Sequence, residues 1–124
     1  IKLMVRKGIN PVGARILVLG LAFKENCPDL RNTRVVDIIK VFRDYCIEVD
    51  VIDPMVNANE AYEEIGIATC ETPEDGRFDA IVIAVPHTKF IEMGFEKIRS
   101  WGAGRCVVFD VKGAFDSAEV DARV

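Results

Sequence analysis

Two short apolar runs constrain this chain more than any other feature: Arg15-Ile-Leu-Val-Leu-Gly-Leu21 and Asp79-Ala-Ile-Val-Ile-Ala-Val85. Both are short and continuously apolar, without the alternation of a strand that has one wet face, so each reads as a strand buried on both sides. Gly20 falls at the end of the first, and Pro86 breaks the second because proline has no N–H to give to a ladder. Strands covered on both faces need helices above and below, which is the arrangement of a parallel α/β sheet.

The rest of the chain supplies those helices. Asn32 or Thr33 can cap a helix in which Val35, Ile38, Ile39, Phe42 and Cys46 recur at helical spacing. Ile47 to Ile52 reads as a second strand closed by Asp53-Pro54, and Asn57 to Ile65 as a second helix ended by Gly66. Ile67 to Cys70 reads as a brief third strand. Thr72 to Phe78 is rich in turn formers, and Thr88 to Trp101 is helical in two pieces around Gly94. Arg105 to Val111 is a last strand, left by Lys112-Gly113, and the tail from Ala114 shows no clear period. Strands alternating with helices through right-handed crossovers predict a Rossmann-like five-stranded parallel sheet, helices on both faces, strand order 3-2-1-4-5.

The 124 residues suit one domain with one core, and 50% hydrophobic with 29% charged residues marks a globular chain. A formal net charge of -4 gives no basic footprint for nucleic acid. No apolar run reaches the ~18 residues of a membrane span, and no signal peptide pattern is present. The four cysteines, Cys27, Cys46, Cys70 and Cys106, contain no C-x-x-C pair, and there is one histidine, which argues against a zinc site. Cys46, Cys70 and Cys106 lie in or beside core segments and read as buried free thiols of a cytoplasmic protein. The chain opens on Ile1 to Lys7, which looks like the tail of a helix, so a fragment of a longer protein is expected.

In an open parallel sheet a ligand binds beyond the carboxyl ends of the strands, where strand order reverses. That point lies between the strand at 16–19 and the strand at 81–85. The loop from Gly20 to Thr33, the turn Pro86-His87-Thr88 and the end Asp110-Val-Lys112 all meet that edge. The first loop is not a dinucleotide fingerprint, because G-x-G-x-x-G is reduced to Gly20 alone. Lys24, Arg31, Arg34 and Lys112 either converge there on an anionic ligand or are solvated surface charges. Several other residues also have two readings. Cys27 is a nucleophile activated by Lys24 or a loop-packing side chain. Asp29 holds a basic neighbour or helps cap the helix. Asp53 grips a ribose or forms an Asp-Pro turn. His87 is a base or a capping and packing residue. Trp101 and the phenylalanines at 42, 90, 95 and 109 read as core.

The stretch Gly20-Leu-Ala-Phe-Lys-Glu-Asn-Cys-Pro-Asp-Leu-Arg-Asn-Thr33 resembles the signature that opens the C-terminal domain of the UDP-glucose/GDP-mannose dehydrogenase family. Asp53-Pro54, Ala84-Val85, His87, Phe90 and Asp110-x-Lys112 extend the resemblance over nearly the whole chain. The wording of the loop is most similar to bacterial UDP-N-acetylhexosamine 6-dehydrogenases that make uronic acids for surface polysaccharides. The resemblance implies an NAD-dependent, cytoplasmic, homodimeric oxidoreductase that oxidises C6 of a nucleotide sugar in two hydride transfers. It implies that residues 1–10 end a central helix or linker and that 11–124 form the C-terminal nucleotide-sugar-binding domain. NAD and the catalytic cysteine would belong to the N-terminal and central domains, leaving this domain alone inactive. Carried over by position, Phe23 and Lys24 contact the UDP-sugar, and Arg31 reaches toward NAD across the cleft. Lys112 contacts substrate where many members have arginine, and lysine lacks the bidentate fork of arginine. Two other readings remain beside this one: a stand-alone nucleotide-binding regulatory module, and a domain serving protein assembly.

Overall fold

β1 (Arg15–Leu19) lies inside a parallel sheet, flanked by β2 (Glu48–Ile52) on one side and β3 (Phe78–Ile83) on the other. The computed structural model describes residues 5–6, 8–22, 26, 30, 33–70, 72–111 and 122–123. β4 (Gly102–Asp110) pairs with β3, and β5 (Ala122–Arg123) pairs with β4, giving the order β2-β1-β3-β4-β5. All four pairings are parallel, so the carboxyl ends of the strands share one edge.

Each strand side chain takes the opposite face from its neighbour, and the core divides accordingly. Ile16 and Val18 join Val51, Ala80, Val82 and Val107 under α1 (Val35–Asp44) and α2 (Ala58–Ile65), which contribute Val35, Ile39 and Ala61. Leu17 and Leu19 join Ile52, Ile81, Ile83 and Val108 under α3 (Thr88–Met93) and α4 (Phe95–Arg99), which contribute Phe90 and Ile98. Trp101 closes that second cluster. At about 1.5–3 kcal/mol for each buried aliphatic or aromatic side chain, these two layers supply most of the drive to fold. The two continuous apolar runs are thereby explained: both faces of β1 and β3 are covered.

Three local expectations change. Residues 67–70 do not form a strand. The Ile67 N–H turns back to the Ala61 carbonyl at the end of α2, and of the described backbone only the Cys70 N–H reaches β2, at Val51 O, 2.9 Å away. The predicted order 3-2-1-4-5 therefore holds for its four strands 2-1-4-5. The fifth strand is Ala122–Arg123, on the opposite edge of the sheet. Finally, Cys46 is exposed rather than buried. The helix stops at Asp44, and Cys46 takes a left-handed conformation (φ 61°). Its N–H bonds to Arg43 O while the Ile47 N–H bonds to Phe42 O, a Schellman cap with cysteine where glycine is usual.

β4 also carries a bulge: Phe78 pairs with Gly102 but Ala80 pairs with Val107. Arg99 braces the extra residues through the carbonyls of Ala103 and Gly104.

A candidate nucleotide site at the carboxyl edge of the sheet

Gly20 follows β1 where the chain after β3 presses against it, and its neighbours leave no room for a side chain. The Ala84 and Val85 N–H groups both bond to Leu19 O, at 3.0 and 3.1 Å, drawing the end of β3 across β1. A Cβ on Gly20 would stand 2.5 Å from the Val85 Cβ and 2.8 Å from its carbonyl oxygen, and φ is +95°. Only glycine fits that turn.

Asp53, at the end of β2, points back into the same turn. Its Oδ2 accepts from the N–H groups of Leu21 (2.7 Å) and Ala22 (2.9 Å), and its Oδ1 accepts from the Met55 N–H (2.8 Å). His87, which precedes α3, completes the set with its Nε2 2.9 Å from Asp53 Oδ2, both side chains fully buried. Burial pushes the Asp53 carboxyl pKa up, but the hydrogen bonds from His87, Leu21, Ala22 and Met55 outweigh burial and hold it below the ordinary carboxylate value. The other ring nitrogen, His87 Nδ1, accepts from the Asn26 N–H at 2.7 Å. A backbone N–H can only donate and a carboxylate can only accept, so the geometry fits a neutral imidazole with its proton on Nε2.

Asn26 is held twice more. Its Nδ2 donates to Thr88 Oγ1, and its Oδ1 accepts from the Thr88 N–H, both at 2.8 Å. Thr88 opens α3, so Asn26 caps that helix from a loop 62 positions away. The far end of the loop is fixed by Thr33, whose hydroxyl donates to Leu21 O at 2.7 Å and accepts from the Val35 N–H at 3.2 Å.

The two open questions at Asp53 and His87 thus have one answer. Asp53 forms the Asp-Pro turn and also binds the β1 turn. His87 is a packing residue whose partner is Asp53. The hydrogen bonds of both side chains go to protein groups. Sequence reasoning treated them separately because nothing local links positions 53 and 87. Asn26 was missed altogether, although a positive φ (58°) at an asparagine is a position that residue tolerates. Phe23, Lys24, Arg31 and Lys112 lie outside the described residues, as do Cys27 and Asp29. Arg34 is exposed beside α1, and Asp110 is buried at the end of β4.

Two backbone N–H groups of the turn after β1 are engaged within the protein. In a dinucleotide-binding domain the backbone there approaches a pyrophosphate, whereas here the Leu21 and Ala22 N–H groups are already bonded to Asp53. A cavity of about 340 Å³ is lined by Asp53 and Pro54 together with, among others, Ile52, Cys70, Phe90 and Met93. Burial, followed by the charge of Asp50, raises the Cys70 thiol pKa, so this sulfur is not an activated nucleophile. Among the described residues no three His, Cys, Asp or Glu side chains gather as metal ligands, and no helix is long and apolar enough to cross a membrane.

These features define a class: a Rossmann-like α/β domain whose first turn is closed by its own carboxylate. Residues 17–117 match the UDP binding domain of the UDP-glucose/GDP-mannose dehydrogenase family, and the chain belongs to that family. It is 47% identical to a UDP-N-acetyl-D-glucosamine 6-dehydrogenase of Pseudomonas aeruginosa, over all of this chain and 29% of the relative. It is 39% identical to Protein CapL of Staphylococcus aureus, over 98% of this chain and 28% of the relative. Among solved structures, a UDP-D-ManNAc dehydrogenase from Pyrococcus horikoshii superposes with a TM-score of 0.77 at 27% identity, over 98% of this chain and 28% of that one. The chain therefore spans less than a third of the length of these relatives.

Proposed function

We propose that this domain binds the UDP moiety of a UDP-N-acetylhexosamine within a nucleotide-sugar 6-dehydrogenase that oxidises C6 to a carboxylate for surface polysaccharide synthesis. The observation that carries this reading is the match of residues 17–117 to the family's UDP binding domain. The 47% identity to a dehydrogenase of that substrate class points the same way. In this reading Phe23, Lys24 and Lys112 contact the UDP-sugar and Arg31 faces NAD across the cleft. A lysine ammonium would meet the diphosphate as a point charge. NAD supplies the hydride acceptor when bound. The closed β1 turn favours its seat being on the N-terminal domain of the same chain. The catalytic cysteine belongs to the central region, for which residues 1–10 are the connection, so residues 11–124 alone are inactive. The whole enzyme is a cytoplasmic homodimer.

Calorimetric titration of the chain with UDP, UDP-N-acetylglucosamine, GDP and NAD tests this. Uridine nucleotides binding more tightly than NAD is the expected result. NAD binding alone would replace the proposal with a stand-alone regulatory module. NADH production by the pure chain with UDP-sugar and NAD would overturn the division of labour.

A further inference from the structure

The loop between β1 and α1 carries Lys24 and Arg31, yet its described middle residue, Asn26, is tied to the opposite side of the switch point. Its N–H goes to His87 Nδ1 at 2.7 Å and its side chain makes two bonds to Thr88. His87 is in turn fixed by Asp53, itself bonded to Leu21 and Ala22 at the loop's start. We infer that His87 and Asn26 are positioning residues for substrate: together they clasp the β1–α1 loop, at Asn26, to the start of α3. This rests on the proposed UDP-binding role of that loop.

Three features favour a clasp over ordinary packing. The bonded groups come from three separate chain segments meeting at the edge where ligands bind in such sheets. Asn26 takes a left-handed backbone conformation, uncommon outside glycine, and in it makes three hydrogen bonds to His87 and Thr88. The imidazole faces a donor on one side and an acceptor on the other, so its two nitrogens have separable duties.

That separation supplies the test. In His87→Gln the amide nitrogen replaces Nε2 and still donates to Asp53, but nothing accepts from Asn26. In His87→Asn the amide oxygen replaces Nδ1 and still accepts from Asn26, but Asp53 loses a donor. Amide hydrogen exchange at Asn26 and UDP affinity are measured in both variants, with melting temperature as the control for global stability. The expected result is exchange at least tenfold faster at Asn26 and UDP binding at least fivefold weaker in His87→Gln. His87→Asn should keep slower exchange at Asn26 and lose less UDP affinity than His87→Gln, even where it melts lower. Unchanged Asn26 exchange in His87→Gln, or equal losses of UDP affinity in the two variants, would overturn the inference. Should His87→Gln not fold, Asn26→Gly keeps the backbone conformation and the bond to His87 while removing both contacts to Thr88. Weaker UDP binding with an unchanged melting temperature supports the clasp, and unchanged binding refutes it. If the parent chain binds no UDP, the nucleotide reading falls and so does a positioning role for substrate. The exchange contrast then reports only whether the loop is tied down.

Discussion

His87 Nε2 and Asp53 Oδ2 lie 2.9 Å apart inside the protein, 34 positions apart in sequence, and join the turn after β3 to the turn after β2. Asp53 is the acceptor for four donors, three of them backbone N–H groups.

Removing that acceptor should be costly. Asp53→Ala leaves buried donors unpaired, each costing about 1–3 kcal/mol before relaxation. An overall loss of about 3–5 kcal/mol is expected from these donors together after partial relaxation. Urea unfolding should show a lower midpoint with the slope unchanged. A midpoint within experimental error of the parent would contradict the role given to this carboxylate.

The same group sets a pH dependence. In the folded protein its hydrogen bonds hold its pKa below the ordinary carboxylate value. The unfolded chain therefore binds the proton more readily, and stability falls as pH drops. The contribution is fully present above the unfolded pKa and is lost as pH falls from that value through the folded one. Unfolding free energies measured between pH 5 and pH 2 should decline less steeply in Asp53→Asn than in the parent (a range of about two units around the unperturbed carboxylate). Parallel curves would exclude this contribution.

Gly20→Ala combines a left-handed backbone with a Cβ 2.5 Å from that of Val85. Overpacking costs about 1–3 kcal/mol, and the backbone adds about 1–2 kcal/mol. A drop in unfolding free energy of at least about 2 kcal/mol is expected from those two terms together. A stable variant would mean that β1 and β3 can separate at this point.

Cys46→Gly should do the opposite. Relief of the left-handed strain at φ 61° outweighs the extra freedom glycine brings to the unfolded chain. A gain of about 0.5–1 kcal/mol is expected in chemical denaturation. No gain would mean that the cap accommodates a side chain without strain.

Lys24→Ala, made in a full-length enzyme containing this domain, is expected to lower kcat/KM about 100-fold, the scale of losing one charged contact to the reacting complex. Its melting temperature should not move. An unchanged rate would remove Lys24 from the proposed site.

The sheet was legible in the sequence wherever burial was symmetric. β1 and β3 are covered on both faces, so their apolar runs are uninterrupted and the parallel α/β arrangement follows. Gly66 and Gly94 marked helix ends because each has a positive φ there. Legibility stopped where structure depends on pairing across the chain. The segment 67–70 has strand-like composition, but the described N–H of Ile67 turns to the α2 carbonyl, and a ladder does not form. Cys46 fits the apolar spacing of α1, yet the helix had already ended. The Asp53–His87–Asn26 chain leaves no local pattern, since each member makes its key bond more than thirty positions away.

The bonds from Leu21 and Ala22 to Asp53 have a consequence for engineering. The fold brings a built-in anion to the spot that other nucleotide-binding sheets leave open for a diphosphate. Installing glycines at Ala22 and Glu25 would restore the lettering of a dinucleotide motif without vacating the seat. Conversion would first require evicting the carboxylate of Asp53 and giving His87 another acceptor.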